Sequence, residues 1–148
     1  MLVDSLESHL AEAGSIERAA VPMAMYLAWC GNLHLLAPGF QETHAAALTR
    51  LRYRDMTPTE FFTACTNGNL DGNLLSDEGG AFTADYYPRY LADFRDTFGS
   101  DPYAVEDDWD HYDRIAAVLT DRFMRWKQGG KRESARAGGR RWWQVWRS

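Results

Sequence analysis

A chain of 148 residues, 45% of them apolar and 14% aromatic, can build one domain with a real hydrophobic core, which excludes wholesale disorder. Its charge is unevenly placed. Residues 1–126 hold nine Arg, no Lys and 20 Asp/Glu, a net of −11, whereas 127–148 hold seven Lys/Arg and one Glu, a net of +6, with three of the six Trp. An acidic body with a basic, Trp-bearing end points to a protein that works by binding, and no complete catalytic signature accompanies it.

The first dozen residues place Leu2, Leu6 and Leu10 four apart, the spacing of a short amphipathic helix. A second helix centres on Met23 to Cys30. Pro22 is either its first residue or a kink in a longer helix that Ser15 caps. Gln41 to Arg52 reads as a third, followed by a turn near Arg54-Asp55. Thr57-Pro58-Thr59-Glu60 is a start signal, with an N-cap Thr, Pro at the first helical position and a Glu that closes a capping box. That helix carries Phe61, Phe62 and Cys65 and ends at Asn67-Gly68. Ser76 caps a further segment through Tyr87, and Pro88 breaks the chain before Tyr90 to Phe98.

From Glu106 to Lys127, Trp109, Tyr112, Ala116, Leu119, Phe123 and Trp126 form one apolar stripe at spacings of three and four. Its first turn is acidic and its last basic, which suits the helix dipole, and Gly129-Gly130 is its expected stop. The sum is an all-α, single compact domain of six or seven helices over residues 1–128, with a Gly/Arg/Trp-rich tail over 129–148. Val21 to Cys30, the longest early apolar stretch, is about half a membrane span. The N-terminus lacks the basic region of a signal peptide. Cys30 and Cys65 lie in apolar helical contexts and read as buried free thiols of a reducing compartment. The chain therefore reads as cytoplasmic, with no membrane association and no cofactor.

Several segments resemble a family of small bacterial helical domains of unknown function, over roughly residues 20–127. They are Met25-Tyr26-Leu27-Ala28-Trp29, Met56-Thr57-Pro58-Thr59-Glu60-Phe61, Asp77-Glu78-Gly79-Gly80-Ala81-Phe82 through Asp85-Tyr86-Tyr87, and Tyr103-Ala104-Val105-Glu106-Asp107-Asp108-Trp109 with Tyr112-Asp113. The resemblance brings no catalytic residues. It implies, by analogy, an antidote partner of a secreted bacterial toxin. The chain departs from the family pattern at Pro22, where a polar residue is usual, and in its basic Trp tail.

Two clusters suggest metal chemistry. Asn67 through Glu78 fits a calcium-binding loop, with oxygens at positions one, three and five, Gly72 at six and Glu78 at twelve. It lacks the Asp expected at position one, and a polar helix–helix turn explains the same residues. Asp107, Asp110, His111 and Arg114 share one helix face, which is either an ion site or a solvated acidic face. These two segments carry the alternative of a calcium-dependent regulator or an uncharacterised enzyme.

The leading expectation is a non-enzymatic protein that sequesters a protein partner, such as a basic toxin, through an acidic helical surface. Its expected contacts are Asp77, Glu78, Asp85, Glu106, Asp107, Asp108, Asp110 and Asp113. In the tail, Trp142, Trp143 and Trp146 with Arg140 and Arg141 pack on the body, form a homodimer contact or bind a partner. Nucleic acid is disfavoured as that partner, because the body's charge repels a polyanion.

Overall fold

The computed structural model describes the backbone of residues 1–139 and the side chains of residues 1–129. The domain is all-α apart from one small sheet. Strand β1 (Leu2–Ser5) leads into helices α1 (Leu6–Ala13), α2 (Ile16–Asn32), α3 (Pro38–Thr43), α4 (Ala45–Arg52) and α5 (Pro58–Cys65). Strand β2 (Asn69–Asp71) and a 3₁₀ turn (Gly72–Leu74) follow, then α6 (Asp77–Tyr86), α7 (Tyr90–Phe98), a 3₁₀ turn at Pro102–Ala104 and α8 (Trp109–Gly139). The expected Gln41–Arg52 helix starts earlier, at Pro38, and divides at His44, which gives one helix more than the sequence suggested.

Cap chemistry sets most boundaries. Ser15 Oγ accepts the Arg18 N–H (3.2 Å) and Ser76 Oγ the Gly79 N–H (3.1 Å). At α5 the capping box is complete: Thr57 Oγ1 accepts the Glu60 N–H (3.2 Å), and Glu60 Oε1 accepts the Thr57 N–H (2.9 Å). Pro22 lies inside α2, so the helix is the longer one that Ser15 starts. The missing N–H leaves α2 one bond short, and the Pro22 carbonyl accepts the hydroxyl of Tyr90 (2.7 Å).

Three expectations are corrected. Residues 2–5 are a strand, not the first turn of a helix: β1 pairs antiparallel with β2, Asp4 opposite Leu70 and Ser5 opposite Asn69. Helix α8 begins at Trp109 rather than Glu106, because Asp108 folds its carboxylate back onto the His111 N–H (2.9 Å) and so occupies the cap. Its helical backbone also runs on through Gly129-Gly130 to Gly139. Two glycines cost about 1 kcal/mol each relative to Ala, and strong helix formers on either side (Lys127, Gln128, Lys131, Arg132, Glu133) sustain the helix.

By contacts the chain divides into two units, Met1–Val118 and a second that begins at Leu119. In the first, α2 is buried along almost its whole length and packs chiefly on α5 and α1. Trp29, Tyr26, Tyr86, Tyr90, Phe61, Phe62, Phe82 and Phe94 are enclosed. Each buried phenol has a partner: Tyr26 meets Thr83 Oγ1 (2.8 Å), and Tyr86 donates to Asp93 Oδ2 (2.7 Å). Gly79 lets α6 approach the Leu35 backbone, since a Cβ there would lie 2.4 Å from the Leu35 carbonyl oxygen. Both cysteines are free; Cys30 is enclosed and Cys65 only partly so. Burial pushes both thiols up from their ordinary value. In the second unit the Phe123 and Trp126 rings stack at 6.0 Å, and Arg125 pairs with Asp121 (3.1 Å) one turn earlier.

Candidate functional site

Three chain segments enclose an open groove of about 790 Å³, within the range of pockets that take sizeable ligands. The first turns of α2 supply Glu17, Arg18 and Val21. Helix α5 supplies Thr59, Glu60, Thr63 and Ala64, and the segment before α8 supplies Tyr103 through Asp107. The caps aim these groups, because Ser15 and Thr57 start the two helices at the groove edge. Asp107 Oδ1 accepts the Thr59 N–H (3.2 Å) and ties the third wall to the second.

Four carboxylates (Glu17, Glu60, Glu106, Asp107) face one guanidinium, Arg18, so the groove carries a net charge of −3. The Glu60 and Asp107 carboxylates each hold a backbone N–H. Glu17, Glu106 and Arg18 are exposed, and their side chains make no hydrogen bond or ion pair among the described residues. Val21, Ala64 and Val105 give apolar lining between the charges. Thr59 Oγ1 is a buried polar atom without a partner, a defect that typically costs about 1–3 kcal/mol. Such a surface suits a cation on an aliphatic stem, which pairs with the carboxylates and buries its methylenes.

Behind this groove lies a second arrangement. Tyr103, which lines it, is bonded through its hydroxyl to His9 Nδ1. His9 Nε2 is 2.8 Å from both oxygens of Asp4. A carboxylate only accepts, so Nε2 carries the proton. Asp4 also accepts from Tyr87 Oη (2.6 Å), Ser8 Oγ (3.1 Å) and the Ser5 N–H (2.8 Å). Burial alone would raise the Asp4 carboxyl, but the bonds from His9 and Tyr87, the His9 charge and the Ser5 N–H outweigh it and hold it below its ordinary value. Burial, and then the Asp4 charge, push the Tyr87 hydroxyl far above the usual phenol range, which keeps it a donor. A small cavity of about 200 Å³ adjoins Asp4, His9, Tyr87 and Tyr90. The order Asp–His–Tyr is that of a proton relay, yet its polar atoms satisfy one another, and the network clamps β1 and α1 onto the body.

The expected acidic contacts fall in different places. Glu106 and Asp107 line the groove. Asp77, Glu78 and Asp85 are exposed on α6, where the first two complement its N-terminal dipole. Asp108 caps α8 and holds His111 Nδ1 (2.7 Å), and Asp110 is exposed. Asp113 is gripped by Arg54 through two bonds of 2.7 and 3.2 Å, while the same guanidinium lies 4.6 Å over the Trp109 ring. The tail contacts expected of Arg140, Arg141, Trp142, Trp143 and Trp146 lie outside the described residues. Reading along the chain missed Glu17, Arg18 and Thr59 as groove residues, treated Glu60 only as a cap, and passed over Asp4 and His9.

The calcium-loop reading of residues 67–78 is corrected by the backbone. Asn69–Asp71 is a strand with Leu70 buried, not a chain wrapped around an ion. Asp71 turns onto the Asn73 N–H (2.9 Å) and starts a 3₁₀ turn. The left-handed residue is Gly68 (φ 83°), at position two, rather than Gly72 at position six. Among the described residues no group of three or more His, Cys, Asp or Glu is placed to hold a metal, the 107–113 cluster included.

The profile of a domain of unknown function, DUF7832, matches residues 3–106. The chain belongs to this family. The groove residues from Glu17 to Glu106 and the whole Asp4–His9–Tyr103 network fall inside the family domain, whereas Asp107 and α8 lie beyond it. The match therefore begins earlier than the resemblance seen in the sequence, taking in α1 and all of β1 after Leu2, and stops before Trp109. No curated protein and no solved structure matches the chain. No helix among the described residues is long and apolar enough to cross a membrane.

Proposed function

We propose that this is a non-enzymatic binding protein that sequesters a basic protein partner through its acidic surface, in the manner of an immunity protein neutralising a bacterial toxin. The observation that carries the reading is the groove, where Glu17 and Glu106 stand unpaired among the described residues beside apolar lining. Charge of one sign around a concave surface steers an oppositely charged partner and then holds it once water is displaced. Unpaired carboxylates at an edge cost little in the free protein, because they stay hydrated. The alternative, a calcium-dependent regulator or an enzyme using residues 67–78 or 107–113, has less support. Asp71, Asp108 and Asp113 each already hold a donor within the chain.

The test is capture with the full tagged chain, followed by assay of the captured protein's own activity. A stoichiometric partner whose activity is blocked, and which is released at high salt, is the expected result. A partner that binds equally well at every salt concentration, or that stays active when bound, would overturn the reading.

A further inference from the structure

Resting on the binding reading above, we infer that the groove is an arginine receptor: it takes one arginine side chain presented by the protein partner. The acceptors are spread over three walls, Glu17 on α2, Glu60 on α5, and Glu106 with Asp107 on the segment before α8. A guanidinium offers five N–H donors in a rigid plane and can reach more than one wall at once. An ammonium is a compact, strongly hydrated point charge with three donors, so it matches acceptors spread over several walls less well. The carboxylates have capacity for this. Glu60 and Asp107 each present one oxygen to the backbone, leaving the other to a ligand, and Glu17 and Glu106 are uncommitted among the described residues. Thr59 lies in the same wall as Glu60, and its buried Oγ1 has no partner. The methylenes of the stem lie against Val21, Ala64 and Val105.

Arg18 narrows the choice of partner. It stands beside Glu17 at the rim without an ion-pair partner among the described residues, so a second cation next to the inserted arginine meets repulsion. The fitting segment carries an arginine flanked by neutral or acidic residues, not a polybasic run.

The probe is N-acetyl-arginine methylamide, titrated into the full ¹⁵N-labelled chain, with the lysine and citrulline analogues as comparisons. Expected are saturable amide shifts at Thr59, Thr63 and Tyr103 to Asp107. Arginine should bind about tenfold more tightly than lysine, and uncharged citrulline should cause no saturable shift. The double variant E17Q/E106Q should lose the response, whereas E42Q/D96N, with the same charge change elsewhere, should keep it. All four positions are exposed, so each variant folds and its spectrum verifies this. Equal binding of lysine and arginine, or equal loss in both double variants, would reduce the groove to a general acidic field and overturn the inference. The two failures separate cleanly. If E17Q/E106Q captures and blocks a partner as well as the unaltered chain does, sequestration stands and the groove falls. If arginine binds in the groove but no partner is blocked, the reverse holds.

Discussion

Tyr87 and Asp4 stand 83 positions apart in the chain, and the phenol of one donates to the carboxylate of the other at 2.6 Å. That bond, the His9–Tyr103 contact and the pairing of β1 with β2 join the N-terminal strand and helix to the body. Asp4 is the acceptor that Tyr87 and His9 share within that junction. Asp4→Ala should cost about 2–4 kcal/mol in urea unfolding, since it strands the donors of His9 and Tyr87. Tyr87→Phe should cost less, about 1–3 kcal/mol.

The same carboxylate sets a pH dependence. Its folded value is depressed, so the stability it contributes is present above the unfolded value of about 3.9 and is lost as pH falls through the lower folded value. Thermal melts between pH 6 and pH 2 should show this step in the unaltered chain and a flatter profile in Asp4→Asn.

Paired glycines in α6 give a sharper contrast. A Cβ at Gly79 meets the Leu35 carbonyl oxygen at 2.4 Å, whereas one at Gly80 meets nothing within 4 Å. Gly79→Ala should destabilise by about 1–3 kcal/mol through forced separation of α6 from Leu35. Gly80→Ala should stabilise by about 0.5–1 kcal/mol, because a helix interior favours Ala. Chemical denaturation of the two variants measures both signs.

Arg54 occupies the left-handed region (φ 63°) just after α4, a position where glycine would be easier. Its guanidinium is committed to Asp113 and Trp109. Replacement by Ala loses these contacts and keeps the backbone strain, while replacement by Gly loses the contacts and relieves it. Arg54→Gly should therefore be about 1 kcal/mol more stable than Arg54→Ala. The exposed ion pair itself is worth little, so Asp113→Asn should cost under about 1 kcal/mol.

Millimolar calcium should leave the melting temperature unchanged, because the oxygens of residues 67–78 lie along a strand and a 3₁₀ turn. A rise in melting temperature that EDTA reverses would show that this segment rearranges around the ion.

What could be read along the chain was what local chemistry decides. Thr57 to Glu60 announces its capping box, and Ser15 and Ser76 their caps. Strand β2 was not legible, since Asn-Leu-Asp has no strand character alone and becomes one only by pairing with residues 2–5. The glycines at 129 and 130 misled for the opposite reason, a local stop signal overridden by good helix formers around it. The groove escaped because Glu17, Glu60 and Glu106 belong to three separate segments. Asp4 and His9 escaped because a spacing of five across a strand–helix junction matches no helical or strand period. Acidic residues that looked alike in sequence turned out to differ by neighbour: Asp108 caps a helix, Asp113 grips Arg54, and Glu106 faces the groove.

The unequal burial of the two thiols offers a reporter without further engineering. A maleimide dye reacts with thiolate, which Cys30, enclosed and shifted upward, does not supply. Cys65 is partly open and is the residue after Ala64, which lines the groove. Mild alkaline labelling thus places a single fluorophore at the end of α5, the helix that supplies Thr59, Glu60, Thr63 and Ala64 to the groove, and its anisotropy on titration tests occupancy.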